Sequence, residues 1–344
     1  MKIDLYKILS ALFLISSLTF CQNNFVSDVS KRGTIAAPFL SISQGARATA
    51  MGSAFVGIAD DQSALYWNPA GLAKLDGVGI MIDHTNWIAN IAYNFIAASY
   101  SLGEMGTIGF SFTSSDYGDM KVTTVDAPNG TGQIFTASDI AFSLGYALNL
   151  TDNFSIGFNP KIIYQSIWET NAIGFAMDMG VLYRTPFEGI ILGMSISNLG
   201  TKMHLQGNST LVIYDPDLTT TGNNGKIAAN LGTDYWSLPL NFRVGLAYSP
   251  INTENHKLTV DVDAIHPSDN YESVNIGAEY VYNDFIAFRG GYKSLFLQNS
   301  EESFTLGFGL KQILIGNVAL RVDYAYQNFG RLTYVQKFSV GVTF

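Results

Sequence analysis

Histidines, a lone cysteine and paired carboxylates are the side chains here most able to bind a metal or move a proton. His84, His204, His256 and His266 lack ligand-like spacing and have no cysteine beside them, so they do not form a zinc pattern. His256 and His266 bracket one alternating segment, which suits loop or interface positions. Asp60-Asp61 taken with Asp261 and Asp263 suggests calcium chemistry. No twelve-residue calcium loop surrounds them, and carboxylates bracing a polar interior are the simpler reading. Gly109-Phe110-Ser111-Phe112-Thr113 lacks the second glycine of a nucleophile elbow. The glycines of Gly307 to Lys311 sit inside an alternating run, not at a strand-to-helix turn that cradles phosphate. The sequence therefore assigns no catalytic residue, metal ligand or cofactor, and it is read as non-enzymatic.

Composition narrows the class. The 344 residues are 47% hydrophobic and only 14% charged, with 18 Tyr and 23 Phe. The formal charge of −9, with Lys and Arg scattered singly, excludes a nucleic-acid partner because no basic patch neutralises phosphates. Residues 1–21 read as an export signal: Lys2 and Lys7 precede the apolar run Ile8 to Phe20. That run is too short to span a bilayer as a helix. Cys21 is the only cysteine, so no disulfide framework exists. Either cleavage follows Cys21, or Leu18-Thr19-Phe20-Cys21 is a lipidation box with an ill-fitting Phe20. No later apolar run reaches the length of a spanning helix. Export combined with this apolarity leaves a large β-sandwich or an outer-membrane barrel.

The elements that must position any site are strands. From residue 77 the pattern has period two and persists to residue 344. Val318, Leu320, Val322, Tyr324 and Tyr326 share one parity; Ala319, Arg321, Asp323, Ala325 and Gln327 share the other. Such rows suit a lipid-facing wall around a polar lumen. Row length, aromatic residues near row ends, and connections that alternate between short and long favour the barrel over the sandwich. Fourteen antiparallel strands are expected near 78–88, 91–102, 105–114, 135–149, 153–167, 172–185, 189–200, 238–249, 256–266, 273–283, 285–294, 302–311, 316–328 and 333–344. The even number places both ends on the periplasmic side. The longest connections, Ser115 to Ile134 and Thr201 to Ser237, then share the outer side. The lumen parity carries Asp178, Arg184, Arg243, Asp261, Asp263, Glu279, Arg289, Lys293, Lys311, Arg321, Asp323 and Lys337. These mixed signs predict ion-pair bracing in preference to a permeation path.

Residues 22–76 do not alternate. Ala46, Ala48, Ala50, Met51 and Ala54 suit a short helix. Asp61 is placed to cap a turn from Gln62 to Trp67, and Asn68 to cap another with Pro69 at its first position. Gly71 predicts that this last turn is brief. The segment is expected to be a small helical plug inside the barrel formed by residues 77–344, held through Arg47, Asp60 and Asp61.

Within it, Gly45-Ala46-Arg47, Met51-Gly52, Asp60-Asp61 and Tyr66-Trp67-Asn68-Pro69-Ala70-Gly71-Leu72 occur in one ordered run. This run resembles the N-terminal signature of the PorV/PorQ family, a branch of the FadL-like outer-membrane barrels of Gram-negative bacteria. The resemblance implies an outer-membrane barrel surrounded by lipid, with Phe344 serving as the insertion signal. It implies partners drawn from type IX secretion components and secreted cargo proteins, bound or anchored through the outer loops. The broader FadL-like group implies an alternative, a channel taking up fatty acids or other hydrophobic small molecules past a movable plug. In the loop 201–237, Asp215, Asp217, Tyr235 and Trp236 stand out. The aromatic pair is either a partner contact or a membrane-interface anchor.

Overall fold

The computed structural model describes residues 31–217, 219, 226–314, 316 and 318–344. The expected signal segment and Cys21 lie outside them. Fourteen strands form the wall: β1 Val78–Asn86, β2 Ala92–Ser101, β3 Thr107–Lys121, β4 Ile134–Thr151, β5 Phe154–Ile167, β6 Thr170–Arg184 and β7 Ile190–Gly200. The second half is β8 Asn241–Asn252, β9 His256–Pro267, β10 Ser273–Tyr282, β11 Ile286–Leu295, β12 Phe304–Ile313, β13 Ala319–Asn328 and β14 Tyr334–Thr343. Each pairs antiparallel with its neighbours, and β1 pairs with β14 from Gly79↔Thr343 to Asn86↔Gln336, so the sheet closes on itself. Closure removes every open strand edge in the wall, which lipid could not satisfy.

Alternation decides which way each strand faces. In β1, Val78, Ile80 and Ile82 point outward and are exposed, while Met81, Asp83 and Thr85 are buried inside. Phe110, Phe142, Leu144, Phe308, Leu310, Phe338 and Val340 extend the exposed apolar belt around the wall. Its extent far exceeds what a water-soluble surface carries. Phe308, Tyr324 and Phe338 form an aromatic ladder across β12, β13 and β14, with ring centroids 5.5 and 5.0 Å apart.

Two expectations are corrected. The connection after β3 does not begin at Ser115: β3 and β4 continue as a paired hairpin from Asp119↔Thr136 to Lys121↔Ile134, beyond a register shift at Asp116 to Asp119. There both faces are largely exposed, so the apolar alternation stops although the hydrogen-bond ladder does not. The β5–β6 connection, on the side of the long loops, is the tight turn Trp168-Glu169, with Trp168 at φ 52.

The lumen is filled by the segment from Ala36 to Leu75. Helix α1 is Ala46–Ala50, helix α2 is Ala64–Trp67, and a 3-10 turn spans Pro69–Lys74. Asn68 Oδ1 accepts the amide of Ala70 at 3.2 Å, so the cap expected there forms. The cap expected from Asp61 does not: α2 starts at Ala64 with Ser63 at its N-cap and no side-chain cap, and Asp61 Oδ1 instead accepts the Ser63 amide at 2.9 Å in the turn before it. Gly71 has a steric reason beyond helix propensity: a Cβ there would sit 1.8 Å from the carbonyl oxygen of Ala59.

The wall meets this segment through glycine. Four cross-strand pairs place two glycines side by side on the inner face: Gly109↔Gly145, Gly157↔Gly180, Gly193↔Gly245 and Gly277↔Gly291. Leu65 and Leu72 lie over the first pair, Asn68-Pro69 over the second, Val56-Gly57 over the third and Met51-Gly52 over the fourth. Cβ atoms built at Gly157, Gly193 and Gly277 would fall 2.3, 2.2 and 2.1 Å from plug backbone atoms. Glycine weakens a strand, and its use here is close backbone approach. Gly193→Ala is therefore expected to destabilise the protein by about 1–3 kcal/mol and to open the plug to protease. Gly341→Ala, whose Cβ would meet nothing nearer than 3.8 Å, should be neutral in the same heat-denaturation and proteolysis assays. Equal behaviour of the two variants would refute the docking role of the glycine pairs.

Candidate functional site

Arg47, near the start of α1, projects to the wall and binds three carboxylates. Its Nη1 lies 2.5 Å from Asp60 and 3.4 Å from Asp61, and its Nη2 lies 2.7 Å from Glu279 on β10. Glu279 also accepts Arg289 Nε at 2.5 Å, and Arg289 reaches Asp323 at 2.7 Å. Arg321 closes the network, 2.9 Å from Asp61 and 2.9 Å from Asp323. Three guanidiniums and four carboxylates thus join the plug to β10, β11 and β13. Burial opposes the charge on Asp61, yet the Arg321 and Arg47 guanidiniums, with help from Ser63, hold its carboxyl below the usual range. Burial likewise opposes the charge on Arg47, and Asp60 and Glu279 more than offset it.

The remaining signature residues act as fasteners. Gly45, at φ 79, donates its amide to Asp83 Oδ2 at 3.2 Å. Gly52, at φ 65, donates to Thr305 Oγ1 at 2.8 Å, and Met51 beside it is buried over Gly277. Trp67 Nε1 donates to the Gln44 carbonyl at 2.9 Å. Asn68 Nδ2 donates to the carbonyls of Val56 and of Val181 on β6, both at 3.0 Å, and Pro69 opens the 3-10 turn. Asp263 Oδ2 accepts the amides of Phe55 and Val56 at 2.8 and 3.1 Å.

Asp60 and Asp61 therefore engage arginines, and Asp263 engages plug amides; they do not converge with Asp261 on a common point. No group of three or more potential metal ligands is found among the described residues. The histidines stay apart: His84 bonds Asn94, His256 bonds Tyr280, His266 pairs with Glu272, and the His204 ring lies 4.2 Å from that of Tyr235. Of the charges expected in the lumen, Arg184 and Lys311 are exposed near the short-turn end, while Lys161, not anticipated, pairs with Asp178 at 2.8 Å. The glycine pairs were also not anticipated. Their signal was the recurrence of glycine on the inner parity of successive strands.

At the opposite end, the connection from β7 to β8 builds a platform. Met203 is buried beside Gly174 and exchanges backbone hydrogen bonds with Trp236, both 2.9 Å. Ser237 accepts the amide of Ala36 at 2.8 Å, tying the loop base to the plug. Beyond it, Leu211–Tyr214 pairs with Ile227–Asn230 as a hairpin. Leu211, Ile213, Tyr214, Ile227 and Leu231 are all exposed, as are Tyr235 and Trp236. Asp215 and Asp217 follow the first hairpin strand, where Asp215 Oδ1 accepts the amide of Asp217.

The profile of the family described as type IX secretion system protein PorV matches residues 26–209, from the plug through β7. The chain belongs to the PorV family. Among curated proteins, none matches. Solved structures extend the likeness to the whole barrel. The toluene transporter TbuX of Ralstonia pickettii shares 12% identity, with a TM-score of 0.55 over 87% of this chain and 97% of its own. The Pseudomonas putida toluene transporter TodX shares 14% identity at a TM-score of 0.55, with the same coverage. A Pseudomonas aeruginosa FadL homologue shares 13% at 0.51, over 87% of this chain and 96% of its own. At these identities the likeness is one of fold. Family and fold together make this PorV-family chain an integral outer-membrane barrel, and both are those of outer-membrane barrels and transporters.

Removing one partner from a buried charge network leaves the others unpaired, at a cost of about 3–5 kcal/mol. Arg47→Ala is accordingly expected to raise hydrogen exchange throughout 46–72 while the barrel stays folded. A carboxyl held below its ordinary pKa stabilises the folded state above that value and loses the contribution as pH falls through the folded pKa. For Asp61, the plug should hence loosen only below about pH 3.8, visible as acid-dependent proteolysis. Loosening that begins near neutral pH would contradict this assignment.

Proposed function

We propose that this PorV-family barrel is a non-enzymatic handler of exported proteins, working within type IX secretion by binding or anchoring them at its long-loop end. The observation that carries the reading is the hairpin Leu211–Tyr214/Ile227–Asn230. It is fastened at its base to the plug yet presents apolar side chains outward. Exposed aromatic and aliphatic side chains on a fixed base are what a protein-binding surface requires. The plug supports the same reading. A segment held by a buried charge network and by four glycine pairs is built to stay in place, and the binding work falls to the loops.

Uptake of a hydrophobic solute is the second reading, drawn from the transporters that share the fold. A channel that releases such a solute sideways needs an opening in its wall. Instead β3 is paired with β2 from Ala92↔Asp116 to Ser101↔Thr107, and with β4 over the same span. The space between plug and wall beneath it is a cavity of about 30 Å³, lined in part by Leu65, Phe95 and Ser111.

Affinity purification of the full-length protein from native outer membrane tests the proposal. Secreted proteins sharing a C-terminal domain should copurify. Deleting all of 201–237 would also remove Met203 and Ser237, which fasten the plug, so the sharper variant replaces 211–230 with a short Gly-Ser linker. That variant should insert normally and lose the cargo. Cargo retained by the variant, or bound lipid with no protein partner in the unaltered protein, would overturn the proposal.

A further inference from the structure

The long-loop end of the lumen contains a second feature, separate from the hairpin. A cavity of about 420 Å³ lies above the plug, walled by Phe39, Tyr66, Trp67, Trp87, Tyr117 and Tyr271. Small-molecule sites span roughly 300–1,000 Å³. Arg243 of β8 also lines it and is only 6% exposed. The rings of Tyr66 and Trp67 stand 5.3 and 5.2 Å from its guanidinium carbon. Its Nε and Nη1 are buried and meet no hydrogen-bond acceptor among the described residues.

Among the described residues, Arg243 differs from the three arginines of the charge network. Arg47, Arg289 and Arg321 are each held by two or more carboxylates. Asp263, on the adjoining strand, uses Oδ2 for the amides of Phe55 and Val56, and its Oδ1 makes no hydrogen bond with Arg243. A buried guanidinium with unused donors is costly, and the facing aromatic rings together with the nearby charge of Asp263, which makes no hydrogen bond to it, offset only part of that cost. Its planar fork matches a carboxylate, which it binds through two parallel hydrogen bonds.

We propose that Arg243 anchors the carboxylate of a ligand whose apolar or aromatic body fills this cavity. The ligand is either a free amphipathic acid or the terminal carboxylate of a polypeptide with an apolar last residue. The anion is essential, so a neutral hydrocarbon is a poor ligand. The site rests on Arg243 and its cavity and does not depend on the loop reading.

The test uses full-length protein in detergent and follows the fluorescence of Trp67 and Trp87, with calorimetry alongside. The probes are 3-phenylpropionate with its amide, a tetrapeptide ending in Phe with its C-terminal amide, and toluene. Saturable binding of at least one acid is expected, with its amide and toluene about tenfold or more weaker. Arg243→Gln should lose the same factor for the acid. Which acid saturates identifies the source. Equal binding of acid and amide, toluene binding as well as the acid, unchanged binding by Arg243→Gln, or no saturable acid would each overturn the proposal. If Arg243→Gln fails to fold, the acid and amide pair on the unaltered protein decides alone.

Discussion

A ring of fourteen strands is too wide for its own side chains to fill, and that geometric fact governs the rest of this molecule. Eight-stranded barrels fill their interior with side chains, whereas wider ones need a channel, a ligand or a plug. Here about forty residues of the same chain occupy the space. The filling must bring its own polar backbone into a closed interior, and every amide and carbonyl then needs a partner. Asp263 for Phe55 and Val56, Asn68 for Val56 and Val181, and Thr305 for Gly52 are parts of one answer. The glycine pairs are another, because they remove the side chains that would hold the two backbones apart.

Much of this was legible in the sequence, for a physical reason. A wall with lipid on one side and a polar lumen on the other forces period two on every strand, so the strand count and approximate limits could be read directly. The non-alternating segment had to be the filler, and Arg47, Asp60 and Asp61 were its obvious charged contacts. The partners on the wall were not legible. Glu279 and Arg289 become a hub only once β10 and β11 are set in register, and alternation does not reveal register between strands. The glycine pairs were hidden for the same reason, since a lone inward glycine reads as a small lumen residue until its cross-strand partner is known. Beyond Asp116 the β3–β4 hairpin leaves the membrane-facing pattern while keeping its ladder, so composition marked it as loop.

The family assignment and the structural likenesses bear on different parts of the chain. The PorV match covers the plug and the first half of the wall, where most of the signature lies. The likeness to toluene transporters covers the barrel as a whole at 12–14% identity. A shared architecture does not by itself fix what a barrel carries.

The seam between β1 and β14 carries a consequence for assembly. The last strand does more than close the ring: Ser339 accepts the amide of Ala46 at 2.7 Å, and Lys337 donates to the carbonyl of Ser43. Chain segments nearly 300 residues apart are thereby joined at the seam and at the plug together. Pairing of such distant segments is a slow, late step in folding. Because β14 makes both the seam and the plug contacts, ring closure and plug docking stabilise one another.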